Sequence, residues 1–149
     1  MIRPTINNIV NSDPFELLEW AKESFTHEVP SGVNSVSDMN RIGMLLGVLT
    51  NEYSYLVSLT TELGLYSKMA KMSVPIKPKS GDTEEMANYI KKKEEAEIME
   101  QRKKVISCFA DILKQQYNAV SRMLTVYTQS QEELKMTDYV NMRSTKPLR

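Results

Sequence analysis

The placement of proline constrains this chain more than any other feature. Prolines stand at 4, 14, 30, 75, 78 and 147, which leaves 31–74 and 79–146 free of them. Proline lacks a backbone donor and clashes with the preceding helical turn, so long helices can form only in such stretches. The apolar spacing agrees. From Met39 it steps by three and four through Ile42, Leu46, Leu49, Tyr53, Leu56, Thr60 and Leu63, a coiled-coil-like seam. A second seam runs Ile106, Phe109, Leu113, Tyr117, Val120, Leu124, Tyr127, Gln131 and Leu134. These patterns predict one helix from Ser37 or Asp38 to about Met72, and another that starts after "KSGDTEE" and ends near Met136. A shorter helix is expected over about 14–26, where Asp13 can cap, Pro14 suits the first helical position and Glu16 completes a capping box. Asp82 with Glu85 repeats that box before the last helix.

The expected fold class is all-α: a short N-terminal helix packed on a long antiparallel helical hairpin. One domain, 1–149, would comprise an N-terminal arm (1–37), the hairpin (38–136) and a flexible basic tail (137–149). The last helix alone would be roughly 80 Å long, against a radius of gyration of about 15 Å for a compact domain of this size, so an elongated molecule is expected. If the hairpin closes tightly around 73–82, Leu49 faces Ile106 and Ile42 faces Leu113. Leu63 then faces 91–104, where ten of fourteen residues are charged. The N-terminal helix would be left to cover the last helix beyond Tyr117. In that register Tyr53, Leu56, Leu59 and Leu63 lack partners in their own chain, and an uncovered apolar stripe implies an oligomer interface. Gly43 and Gly47, four apart on one face, would allow another helix to approach closely.

The 19 basic and 19 acidic residues cancel, so attraction to a polyanion or a membrane must come from local asymmetry. Residues 1–37 carry two basic and five acidic groups, and residues 73–149 carry fourteen and eleven. The single cysteine, Cys108, excludes an internal disulfide, fits a reducing cytoplasm and is expected to be buried beside Ile106 and Phe109. The longest apolar run, 42–49, is far short of the roughly 20 residues of a membrane span, and no signal peptide is visible. The expectation is a soluble cytoplasmic protein with no membrane partner.

Catalytic chemistry finds little to build on. His27 is the only histidine, and it follows a helix end, where partnering the helix dipole is its ordinary role. There is no CxxC, HExxH, calcium-loop or glycine-rich phosphate-loop pattern. Adjacent glutamates such as Glu94/Glu95 point about 100° apart on a helix and cannot converge on one substrate. The chain is read as a non-enzyme with no catalytic residue, metal or cofactor.

Binding remains. The segment "YSKMAKMSVPIKPKSG", residues 66–81, holds Lys68, Lys71, Lys77 and Lys79 and no acid. Lys91 and Lys92 follow on the next helix, and Tyr66 opens the segment. Lysine interleaved with tyrosine suits a single-stranded backbone and its stacked bases. These seven residues form the expected nucleic-acid contact. A helical protein-interaction module, such as a virion component or an inhibitor of a host protein, is the alternative. Ten methionines suit it, because methionine adapts to irregular contacts.

A tyrosine-bearing helix ending "YSYLVSLTTELGLYSKMAK", a lysine-containing connection, a charged helix and a final "ILKQQYNAVSRMLTVYTQSQEELK" follow one another over roughly 45–136. In this order and pattern the chain resembles the UvsY-type recombination mediators of tailed phages. The resemblance is prompted by Tyr117 with Arg122 and by Gln129-Ser130. It implies a ring-forming, single-stranded-DNA-binding accessory that helps load a RecA-like recombinase onto strands covered by single-strand-binding protein. The basic connection and the early part of the last helix would face the DNA. The neutral net charge and the acidic arm depart from the family pattern.

Overall fold

The computed structural model describes residues 3–79 and 83–144. Among them lie four helices and no strand: α1 (Ile6–Val10), α2 (Pro14–Phe25), α3 (Val36–Met72) and α4 (Thr83–Ser144). The all-α class is the expected one, and α1 is an addition to it. The expected cap at Asp82 and the basic residues Lys146 and Arg149 lie outside the described residues.

Local chemistry sets most of the helix ends. Asp13 Oδ2 accepts the Phe15 N–H at 3.2 Å, with Pro14 at the first position of α2. α3 starts slightly earlier than expected because Ser35 is the capping side chain. Its Oγ accepts the Asp38 N–H, while the Asp38 carboxylate accepts the Asn34 N–H, both at 3.1 Å. This reciprocal satisfaction of free donors is the logic of a capping box. α3 passes through Gly64 without a break and ends at Met72. α4 does not stop at Met136. It runs on to Ser144, so 137–144 is helical where a flexible tail was expected. No glycine or proline interrupts it there, and Arg143 stacks over the Tyr139 ring one turn back, 5.5 Å from its centroid.

The chain divides into two compact units, one of Met1–His27 with Asn51–Lys114 and the other of Glu28–Thr50 with Gln115–Arg149. In the first, the buried apolar residues are Ile9, Leu17, Ala21 and Phe25 from the arm, Leu56, Leu59 and Leu63 from α3, and Ala96, Ile106, Phe109, Ala110 and Leu113 from α4. In the second, Ile42, Leu49 and Val120 are buried. There α4 beyond Tyr127 is exposed, Leu134, Met136, Tyr139, Val140 and Met142 included.

The hairpin register corrects the sequence expectation. Ser67 meets Glu100, and the side chain of Lys103 passes Gly64, with its Cε 3.9 Å from where a Cβ would stand. This pairing is offset by about twelve residues from a tight turn. Continued one residue for one along two straight helices, it sets Leu56 to Leu63 level with residues of about 104–111. That is where Ile106, Phe109 and Ala110 are buried, not the charged 91–104 stretch. Leu56, Leu59 and Leu63 are therefore covered by their own chain, and Tyr53 is partly covered. The expected oligomer interface on these four residues is not an open surface.

The arm corrects a second expectation. It lies against the parts of α3 and α4 in its own unit, around Tyr55 and Arg102, whereas it was expected to cover α4 beyond Tyr117. The Tyr55 hydroxyl donates to Pro4 O at 2.9 Å, and the Arg3 guanidinium sits 4.8 Å from the centre of the same ring. The Phe25 ring lies 6.2 Å from the Tyr55 ring and 5.2 Å from Trp20. Arg102 Nε donates to Ser12 O at 2.7 Å, and His27 pairs with Glu52. His27 thus has a side-chain partner and not only a helix end. A Cβ added at Gly43 or Gly47 would meet nothing within 4 Å, so neither glycine serves a close helix approach among the described residues. Cys108 is exposed rather than buried, because it lies off the face that carries Ile106, Phe109 and Ala110 inward.

Candidate functional site

The basic segment begins on the last turns of α3 and continues into a non-helical stretch, 74–79. Pro75 and Pro78 fix two backbone torsions there and supply no N–H, so helix cannot continue. In the register set by Ser67 and Glu100, α4 begins roughly three turns beyond the level where α3 ends. Non-helical chain covers such a gap in fewer residues, at up to about 3.3 Å per residue against 1.5 Å in the returning helix. This explains why a proline-containing segment, and not a tight turn, joins the helices. Ile76 is carried into solvent on it, 94% exposed.

The seven expected contact residues differ in their surroundings. Lys68, Lys77, Lys79 and Lys91 are exposed and have no ion-pair partner among the described residues. Tyr66 is exposed on α3, next to the inward-facing Ser67. Lys92 Nζ stands 3.4 Å from Glu95, three residues along the same helix. Such exposed pairs contribute little and rearrange readily. Lys71 is different. Its Nζ lies 3.1 Å from Glu100 Oε2, the same oxygen that accepts the Ser67 hydroxyl at 2.5 Å.

Glu100 therefore ties the end of α3 to α4. Hydrogen bonds from Ser67 and then Lys71 hold its carboxyl below the ordinary carboxylate range, and the charges of Lys71 and Lys103 act in the same direction. Burial opposes them, more weakly than either hydrogen bond. Ser67 is only 2% exposed. A buried hydroxyl without a partner is costly, so Glu100 satisfies a group that the packing would otherwise leave stranded.

Neither Ser67 nor Glu100 belongs to the expected contact set. A signal for Ser67 exists: it continues the three-and-four spacing of Leu56, Thr60 and Leu63, where a polar residue needs a partner. Glu100 gives no such signal, since it is one charge among ten in 91–104.

Two further polar contacts frame this unit. Burial pushes the Tyr55 phenol above its ordinary value, with the Arg3 charge opposing. Burial lowers Arg102, with the Asp13 charge opposing. Among the described residues no group of three or more His, Cys, Asp or Glu side chains could hold a metal ion. No helix among them is long and apolar enough to cross a membrane. No family model, curated protein or solved structure matches the chain.

Proposed function

We propose that the protein is a non-enzymatic accessory that binds single-stranded nucleic acid through the lysines on and beside the α3–α4 connection. The observation that supports this most is the state of those lysines. Four of the expected contacts, Lys68, Lys77, Lys79 and Lys91, are exposed and have no ion-pair partner among the described residues, in a chain whose net charge is zero. Tyr66 adds an exposed aromatic surface at the same segment. Lysine charge and tyrosine stacking do not read base edges, so binding is indifferent to sequence. Ring assembly in the cytoplasm and the loading of a RecA-like recombinase in phage recombination complete the proposal on the resemblance alone. Any ring must form through a surface other than Leu56, Leu59 and Leu63.

The test is the affinity of a labelled single-stranded oligonucleotide as a function of salt. Each phosphate contact adds about 0.7 to the slope of log affinity against log salt. Replacing Lys77 and Lys79 together by alanine is expected to weaken binding at low salt and to flatten the slope by about one unit or more. Parent protein that fails to bind at about 50 mM salt refutes the reading.

A second reading, a helical protein-interaction module, is favoured by the far end of α4. Leu134, Met136, Tyr139, Val140 and Met142 are all exposed there. In the same unit, Val33, Met123, Val126 and Tyr127 help line an open groove of about 390 Å³. Unchanged oligonucleotide binding after replacement of Leu134 and Tyr139 would leave that end free for a protein partner.

A further inference from the structure

We infer that Glu100 is an internal anion that occupies Lys71 and keeps it out of the polyanion footprint. The inference rests on the proposed single-strand-binding role and identifies which lysines serve it. Lys71 and Lys92 each face a carboxylate, but the two carboxylates are not held alike. Glu95 contacts Lys92 from an exposed position three residues along the same helix, with no second contact among the described residues to hold it. An incoming phosphate can displace it at little cost.

Glu100 is pinned from two helices. Its Oε2 accepts the hydroxyl of the buried Ser67 as well as the Lys71 ammonium, and Lys103 stands close by in charge. A phosphate that took Lys71 would have to pull it away from a carboxylate that cannot follow, because moving Glu100 would strand the Ser67 hydroxyl. A charge-assisted bond of this kind is stronger than an ordinary one. A hydroxyl and an ammonium converging on one oxygen are also what a phosphate oxygen would accept. Glu100 fills that position from within the chain.

Exposure alone would put Lys71 beside Lys68, since both lie on the surface of α3. The two are nevertheless inequivalent. Lys68 contributes a phosphate contact, and Lys71 contributes none until Glu100 is neutralised. Removal of a carboxylate that merely positions α3 would loosen the segment and weaken binding. Removal of one that withholds a lysine strengthens it. The sign of the change therefore separates the two roles.

The experiment compares the salt dependence of single-stranded oligonucleotide binding for the parent, Glu100→Gln, Lys71→Ala and the double variant. Glutamine keeps the side-chain shape and an oxygen acceptor for Ser67, and far-ultraviolet circular dichroism with urea titration confirms that each variant is folded. Lys71→Ala is expected to leave affinity and slope unchanged. Glu100→Gln is expected to add about 0.7 to the slope and to raise affinity roughly five- to tenfold at 50 mM salt, the worth of one contact. That gain is expected to vanish in the double variant. A parent that binds, with Glu100→Gln equal to it or weaker, overturns this inference and leaves the single-strand reading standing. So does a gain that survives loss of Lys71. A parent that does not bind overturns both.

Discussion

Truncating Leu63 to alanine separates a core leucine from an interface leucine. Leu63 is fully buried within its own chain, next to Gly64 and one turn before Ser67. The change removes three carbons, worth about 2–2.5 kcal/mol in lost transfer free energy. A cavity of roughly 60–80 Å³ adds about 1.5–2 kcal/mol at some 24 cal/mol per Å³. The total is about 4 kcal/mol. With a urea m-value of about 2 kcal/mol/M for a protein of this size, the unfolding midpoint falls by roughly 2 M. Trp20, the only tryptophan, reports on the right unit, since it packs against Phe25 beside Tyr55. Its fluorescence should follow the transition at two protein concentrations tenfold apart. A core residue gives the same shift from the parent at both, whereas an interface residue gives a shift from the parent that changes with concentration. A shift below about 0.5 M, or one that depends on concentration, would refute the placement of Leu63 in the core.

Phe109→Ala is expected to cost about 3–5 kcal/mol, while Lys92→Ala stays within about 0.5 kcal/mol. Equal urea midpoints for the two would show the core to be misplaced. Gly47→Ala is expected to stabilise by up to about 1 kcal/mol, because the new methyl meets open space in mid-helix; a lowered melting temperature would contradict this. The Ser67 and Lys71 hydrogen bonds hold the folded-state pKa of Glu100 below its unfolded value, so it contributes stability that is present above the unfolded pKa and is lost as pH falls through the folded one. Acid titrations of the parent and of Glu100→Gln should therefore draw together as the pH falls below the ordinary glutamate range, and curves that stay parallel throughout would contradict the Ser67 and Lys71 contacts.

What could be read from the sequence was set by local rules. Asp13-Pro14 marks the start of α2, and Val74-Pro75 marks the end of α3, because capping and proline geometry act over a few residues. The seams of Leu56, Leu63, Ile106, Phe109 and Leu113 identify buried positions, because periodicity depends on one helix at a time. Register was not legible. It depends on how far the chain runs past Met72 before α4 begins to return, and Pro75 and Pro78 end the helix in either case. That single offset decides whether Leu63 meets a charged face or an apolar one. The site was affected in the same way. Lysines are visible in a sequence, but the pairing of Lys71 with a carboxylate on another helix follows from the register. The place of the arm was hidden for a similar reason, since no short motif links Pro4 to Tyr55 or Ser12 to Arg102.

The bond between Arg102 and Ser12 closes a loop of 90 residues. A chain made from its N-terminus at about 5–20 residues per second needs roughly 5–18 s to supply the second partner after the first. Through that interval Ile9, Leu17 and Phe25, all buried in the finished fold, have no hairpin to pack against. α1 and α2, of 5 and 12 residues, are too short to persist alone in water. The arm is thus translated before the hairpin and ordered late, and its apolar residues are open to chaperones or to neighbouring nascent chains until α4 emerges.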